Sequence, residues 1–208
     1  MEECFTEIIS YEGEVPKIPN YTDADFETST SELKVNGSVD TTGKINNHGP
    51  NFSVETENEN KEKQEMPDWD FNIMQKAGYA EVNNNDELTQ ISEENLKDFT
   101  LKTSGEVVIE KTDFDGVCYI ISEGDIKLDA NNSKMPDGIV LYSKQGNIEV
   151  NGKDVDFKGI VYAPNGSVSF NNETANINGR IFGSNVNLNG NEFNVTSDVS
   201  DWEFIKDK

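Results

Sequence analysis

The chain of 208 residues carries 40 Asp and Glu against 17 Lys and Arg, a formal charge of −23 at pH 7, so its surface repels a nucleic-acid backbone or an anionic membrane. Hydrophobic residues make up only 34% and form no run of eighteen, which excludes a spanning helix in this sequence and predicts a narrow core. Two cysteines, Cys4 and Cys118, allow one bridge or none.

In chain order, residues 1–30 give no strong pattern, and the opening MEECFTEIIS lacks the basic and apolar stretches of a secretion signal. Residues 31–54 read as degenerate first coils of a repeat. Glu32-Leu33-Lys34-Val35-Asn36-Gly37-Ser38-Val39 is a strand followed by an Asn-Gly bend, and Gly43-Lys44-Ile45 and Phe52-Ser53-Val54 continue it. Residues 55–100 read as a loop and a helical insertion. ETENENKEKQEMP is polar and charged without periodicity, and after Asp68–Met74 the side chains of Leu88, Ile91, Leu96 and Phe99 share a helical face, with Asp86 and Ser92 as caps. The insertion is expected along the side of a stack that Leu101–Ile109 re-enters.

From Gly116 onward the chain repeats every twenty residues or so: Gly116, Gly138, Gly159 and Gly179 are 22, 21 and 20 residues apart. Each copy holds an apolar run, a second strand alternating with period two (Ile126/Leu128, Ile148/Val150, Val168/Phe170, Val186/Leu188), and a third carrying Val155/Phe157, Ile177 or Phe193/Val195. Bends rich in Asn and Gly separate them, because these residues tolerate left-handed backbone. Cys118 occupies the place held in later copies by Val140, Val161 and Phe182, which makes it an apolar, buried thiol.

One copy cannot hold itself together. About six inward side chains at about 1.5–3 kcal/mol each do not offset some twenty backbones costing about 1–2 kcal/mol each. Stacking at about 4.8 Å pairs every backbone group with its neighbours and merges the small apolar sets. The fold class is therefore an all-β solenoid: a right-handed parallel β-helix of about six coils in all, its regular coils over residues 101–200, with a short helical insertion and capped ends. Residues 201–208, with Asp201-Trp202-Glu203-Phe204-Ile205, supply the C-terminal cap.

The run Gly159-Ile160-Val161-Tyr162-Ala163-Pro164-Asn165-Gly166-Ser167-Val168, with Asn178-Gly179-Arg180-Ile181-Phe182-Gly183, resembles the G-x-I-Y-A-P-x-G-x-V repeats of bacterial cell-surface and pilus-assembly-related proteins with a small β-helix. The resemblance implies a noncatalytic extracellular or cell-surface module with a structural or adhesive role. It also implies an export signal or anchor upstream, and surface proteins, pilus proteins or glycans as partners, with no membrane contact by this segment.

For the alternative, a carbohydrate-active or glycan-binding β-helix, chemistry needs facing carboxyls or a base beside clustered acids. The candidates are Asp113, Asp115, Asp125, Asp129 and Asp137, with Arg180. The same hard oxygen ligands of Asp113, Asp115, Asp125 and Asp129 would suit calcium, although no EF-hand or nonapeptide loop occurs, and no other cofactor is suggested. His48, in a turn-like stretch, has no second ligand at zinc spacing. Exposed tyrosines and the outward residues Lys127, Glu149, Ser169 and Asn187 would form a flat ligand surface. A self-polymerising scaffold similar to bactofilins is a third reading, against which the aromatic cap argues.

Overall fold

A computed structural model describes residues 20–22, 24–63, 80–84, 86–91, 96–110, 112–132, 135–136 and 138–196. The strands in chain order are β1 (Asn20–Thr22), β2 (Phe26–Thr41), β3 (Ile45–Asn47), β4 (Asn51–Asn58), β5 (Ala80–Asn84), β6 (Leu88–Ile91), β7 (Leu96–Lys97), β8 (Phe99–Thr103), β9 (Glu106–Glu110), β10 (Phe114–Asp115), β11 (Val117–Ser122), β12 (Ile126–Asp129), β13 (Gly138–Ser143) and β14 (Ile148–Thr196). Strand pairing is parallel throughout, as in a β-helix: β5, β8, β11, β13 and β14 follow one another on the first face, and β6, β9, β12 and β14 on the second.

Period-two alternation decides what lies inside. Along β14 Ile148, Val150, Val155, Phe157, Val168, Phe170, Ala175, Ile177, Val186, Leu188, Phe193 and Val195 are all buried, and their outward neighbours are partly or fully exposed. Ile126, Ile148, Val168 and Val186 are each 0% exposed, so the interior column expected from the repeat exists. Phe157 meets Phe170 edge-on with ring centroids 5.6 Å apart, a favourable aromatic geometry in the core.

The N-terminal coils are first in sequence and last in space. Val186 pairs with Phe26, Phe193 with Leu33 and Val195 with Val35, and β2 in turn carries β3 and β4, with Phe26 beside Ile45 and Leu33 beside Phe52. The 179–196 coil, for which an aromatic cap was expected, is covered by the chain's own residues 20–36. The expected cap at 201–205 lies outside the described residues. On the second face one column runs Thr89, Val107, Ile126, Ile148, Val168, Val186, Phe26, Ile45. Consecutive strands β4 and β5 therefore stand at opposite ends of the stack.

Two further expectations are corrected. Residues 86–99 hold no helix among the described residues: β6 pairs with β9 and β8 with β5 and β11. The inward pair there is Thr89 and Ile91, whereas Leu88 is 46% exposed, so a threonine at an inward position hid a period of two. Part of the expected loop at 55–67 is also strand, since β4 extends to Asn58; Asp68–Met74 lies outside the described residues. The only helical turn among the described residues is the 3-10 turn Ala130–Asn132.

Aligning the leading glycines misplaces the first strands. Gly138 pairs with Val117 and Gly159 with Ile139, so the neighbour of Cys118 is Ile139 rather than Val140. Inward alternation sets the register, and the glycines answer to separate demands. Gly116 has a positive φ of 71°, and any side chain there would strike the Asp98 carboxylate; a side chain at Gly159 would strike the carbonyl oxygen of Ile139.

Candidate functional site

The acidic candidates are spread along corners and strand ends, not gathered. Asp115 lies 3.5 Å from Lys97 Nζ. Asp125 Oδ1 accepts the Asn147 backbone N–H at 2.7 Å, and Asp129 Oδ1 accepts the Asn131 backbone N–H at 2.9 Å. Asp113 is exposed and Asp137 is outside the described residues. Among the described residues no three of His, Cys, Asp and Glu converge as a metal site would need. Arg180 is 3% exposed, and desolvation lowers its pKa. It sits on the first-face segment of the 179–196 coil, with the 138–157 and 159–177 coils between it and Asp115 or Asp125. His48 Nε2 lies 3.0 Å from Glu27 Oε2 at the surface.

Among the described side chains, Tyr119, Tyr142 and Tyr162 do not form an exposed surface. The outward side of the first face is a second apolar layer: Tyr119, Ile121, Val140, Tyr142, Ile160 and Tyr162 are all at or below 5% exposure, with Tyr142 and Tyr162 5.4 Å apart and Tyr162 and Phe182 5.8 Å apart. On the second face the outward row behaves as expected of a solvated surface. Lys127 Nζ donates to Glu106 Oε1 at 2.6 Å, which raises the lysine pKa, and Asn187 Nδ2 reaches Ser169 Oγ at 3.4 Å. Cys118 is a free, buried thiol, and burial pushes its pKa up to about 11.

The concave region lies elsewhere, on the third face. Ala130, Met135 and Pro136 stand where one coil would have its third strand, and with the outward side chains of the next three coils they line a groove of about 660 Å³. Asp154, Asp156, Lys158, Asn176 and Asn194 line it, with Met135 on the wall. Its floor is ordered by side chains one rung apart. Asn176 Nδ2 donates to Asp156 Oδ1 at 2.9 Å, Asn194 Nδ2 to Asn176 Oδ1 at 3.3 Å, and Thr174 Oγ1 to Asp154 Oδ1 at 2.7 Å. A parallel ladder at the adjoining corner joins Asn151, Asn171 and Asn189 at 2.9 and 3.0 Å. Each amide spends one donor on the rung before it and keeps other polar atoms for solvent or a ligand.

The hydroxyls at the first corner escaped notice in the sequence. Ser143 Oγ donates to the Gly124 carbonyl at 2.7 Å and accepts the Gly146 N–H at 3.0 Å. Ser122 does the same with the Gly105 carbonyl and the Gly124 N–H, and Thr41 with the Ala24 carbonyl and the Gly43 N–H. Ser184 donates to the Gly166 carbonyl, and Thr22 to the Ser184 carbonyl, both near 3 Å. Ser143, Ser122 and Thr41 each close their own turn and tie it to the previous rung. Ser or Thr two or three residues before a glycine (Thr41-Thr42-Gly43, Thr103-Ser104-Gly105, Ser122-Glu123-Gly124, Ser143–Gly146) is the signal that would have found them.

A family model described as a domain of unknown function, DUF7305, matches residues 96–200. No curated protein matches in sequence. Among solved structures, the crystal structure of an ice-binding protein from the Antarctic ascomycete Antarctomyces psychrotrophicus is similar at 15% identity, covering 85% of this chain and 93% of that one with a TM-score of 0.41.

Proposed function

We propose that this chain, which belongs to the DUF7305 family, is a noncatalytic extracellular or cell-surface module that presents the third-face groove to a ligand from a rigid solenoid, in a structural or adhesive role. One observation carries this reading: Asp156, Asn176 and Asn194 stand one rung apart along the groove and are held by each other's hydrogen bonds. A ligand meeting groups already fixed in place loses less of its binding energy to side-chain ordering. Donors and acceptors alternate along the row, which suits the hydroxyls of a neutral or amino-bearing glycan, and Asp154 and Asp156 disfavour a polyanion. Pilus association belongs to the same reading and rests on the repeat motif around Gly159–Val168.

The test is a glycan array read beside a lyase and hydrolase screen on acidic and neutral polysaccharides. Retention of a neutral or amino sugar without turnover, weakened at least tenfold by the Asp156→Asn, Asn176→Ala pair, is the expected result. Turnover abolished by Asp115→Asn or Asp125→Asn would replace this function with a carbohydrate-active enzyme.

A further inference from the structure

Residues 20–58 join the rest of the stack at a seam that the sequence does not continue through: the 179–196 coil is followed in space by β1 and β2. The seam is built from parallel pairs in one register, running from Val186 with Phe26 to Thr196 with Asn36, and from Phe182 with Tyr21. Any second copy offers the same edge in the same register. The seam also carries an unfavourable side-chain pair. Two residues before the Asp156–Asn176–Asn194 series, where Thr174 Oγ1 donates to Asp154 Oδ1 within the repeats, the seam sets Glu192 directly beside Glu32, both exposed, and like charges directly opposite each other are destabilising. Chain length permits either destination. The column from Thr89 to Ile45 spans seven rung spacings, about 34 Å at about 4.8 Å each, whereas 16 residues, 64–79, reach about 50 Å when extended.

We infer that residues 20–58 are an exchangeable coil unit that docks on the 179–196 edge of a second copy of this chain, linking copies by coil exchange. The interface is the one already seen within the chain, so exchange creates no new contact and costs only the opening of the seam. Its chemistry is strand addition to a parallel edge, in which backbone hydrogen bonds give affinity and the Phe26, Leu33 and Val35 pockets give register. This inference does not depend on the groove or its ligand.

The test uses the whole chain in a Cys4→Ser background. Lys34 and Asn194 are partners across the seam, at a separation a disulfide can bridge. K34C and N194C are made singly and together. The double variant, oxidised when dilute, should form a bond within one chain, which also shows that the variants fold with the seam closed. The two single variants, mixed at high concentration, held in sub-denaturing urea, returned to buffer and oxidised, should give a mixed disulfide dimer at least fivefold above either variant alone. The double variant at high concentration should shift from internal to intermolecular bonds. Internal bonds at every concentration, with no mixed dimer above the single-variant background, would overturn the inference.

Discussion

The copies from Gly138 to Thr196 and the coils from Asn20 to Asn58 share one backbone pattern and are stabilised differently. In the first region inward positions are large and fully covered, and outward amides are bonded rung to rung. In the second the corner hydroxyls of Thr22 and Thr41 persist, but Ile45, Phe52 and Val54 are only partly buried and Glu27, Glu32, Glu55 and Glu57 line the outside. What survives the divergence is whatever closes a turn and sets register. Polar bonds between rungs persist too, in other residues, Asn46 to Glu27 and Asn58 to Asp40; what is lost, in the outermost coil, is the depth of the core, which is why the second region is legible only as a degenerate coil.

The sharpest way to probe that contrast is to cut the same side chain from both regions. Phe170→Ala, at 0% exposure, should cost about 3–5 kcal/mol and Phe52→Ala no more than about a third of that, compared by urea midpoints; equal losses would show the outer coil to be as well packed as the repeats. Ser143→Ala strands the Gly124 carbonyl and the Gly146 N–H and should cost about 1–3 kcal/mol. Thr41→Ala should cost as much, because the hydroxyl ladder is the element the regions share, and a clear gap between the two would end that equivalence. Glu32→Gln should stabilise by about 0.2–1 kcal/mol and make the midpoint less sensitive to salt, whereas Glu173→Gln, within the repeats and facing Lys153, should not stabilise.

A pH-dependent effect concerns Cys118. Its folded pKa of about 11 lies above the ordinary value of 9.0, so the folded state favours the neutral thiol. That stability is fully present below pH 9 and is lost as pH rises from 9 to 11. Urea midpoints should fall across that window, and less so in Cys118→Ala.

Much of the architecture could be read from residues whose chemistry matches their position. Ile126, Ile148, Val168 and Val186 are apolar, alternating and evenly spaced, so both the coil and its interior column followed. At 86–99 the same alternation carries Thr89 inward and Leu88 outward, and a polar residue at a core position cannot be told from a helix pattern by hydropathy. The spatial order of the coils was not legible, because any edge of a parallel stack can accept any coil of matching register. The groove depends on Ala130, Met135 and Pro136 standing where a strand would be, and its other lining side chains come from three coils about twenty residues apart. Each of them alone reads as an ordinary surface residue. The outward tyrosines misled for the opposite reason: alternation says which way a side chain points, not whether something covers it.

The displaced position of β1 and β2 bears on how the molecule is made. A ribosome releases the segment around Thr22 some 162 positions before the carbonyl of Ser184, so these residues wait through that stretch of synthesis for the surface they will meet. Folding cannot advance from one end as a zipper does. Pairings this distant in sequence are slow to find each other, and the joining of the 20–58 coils to the 179–196 coil is such a pairing.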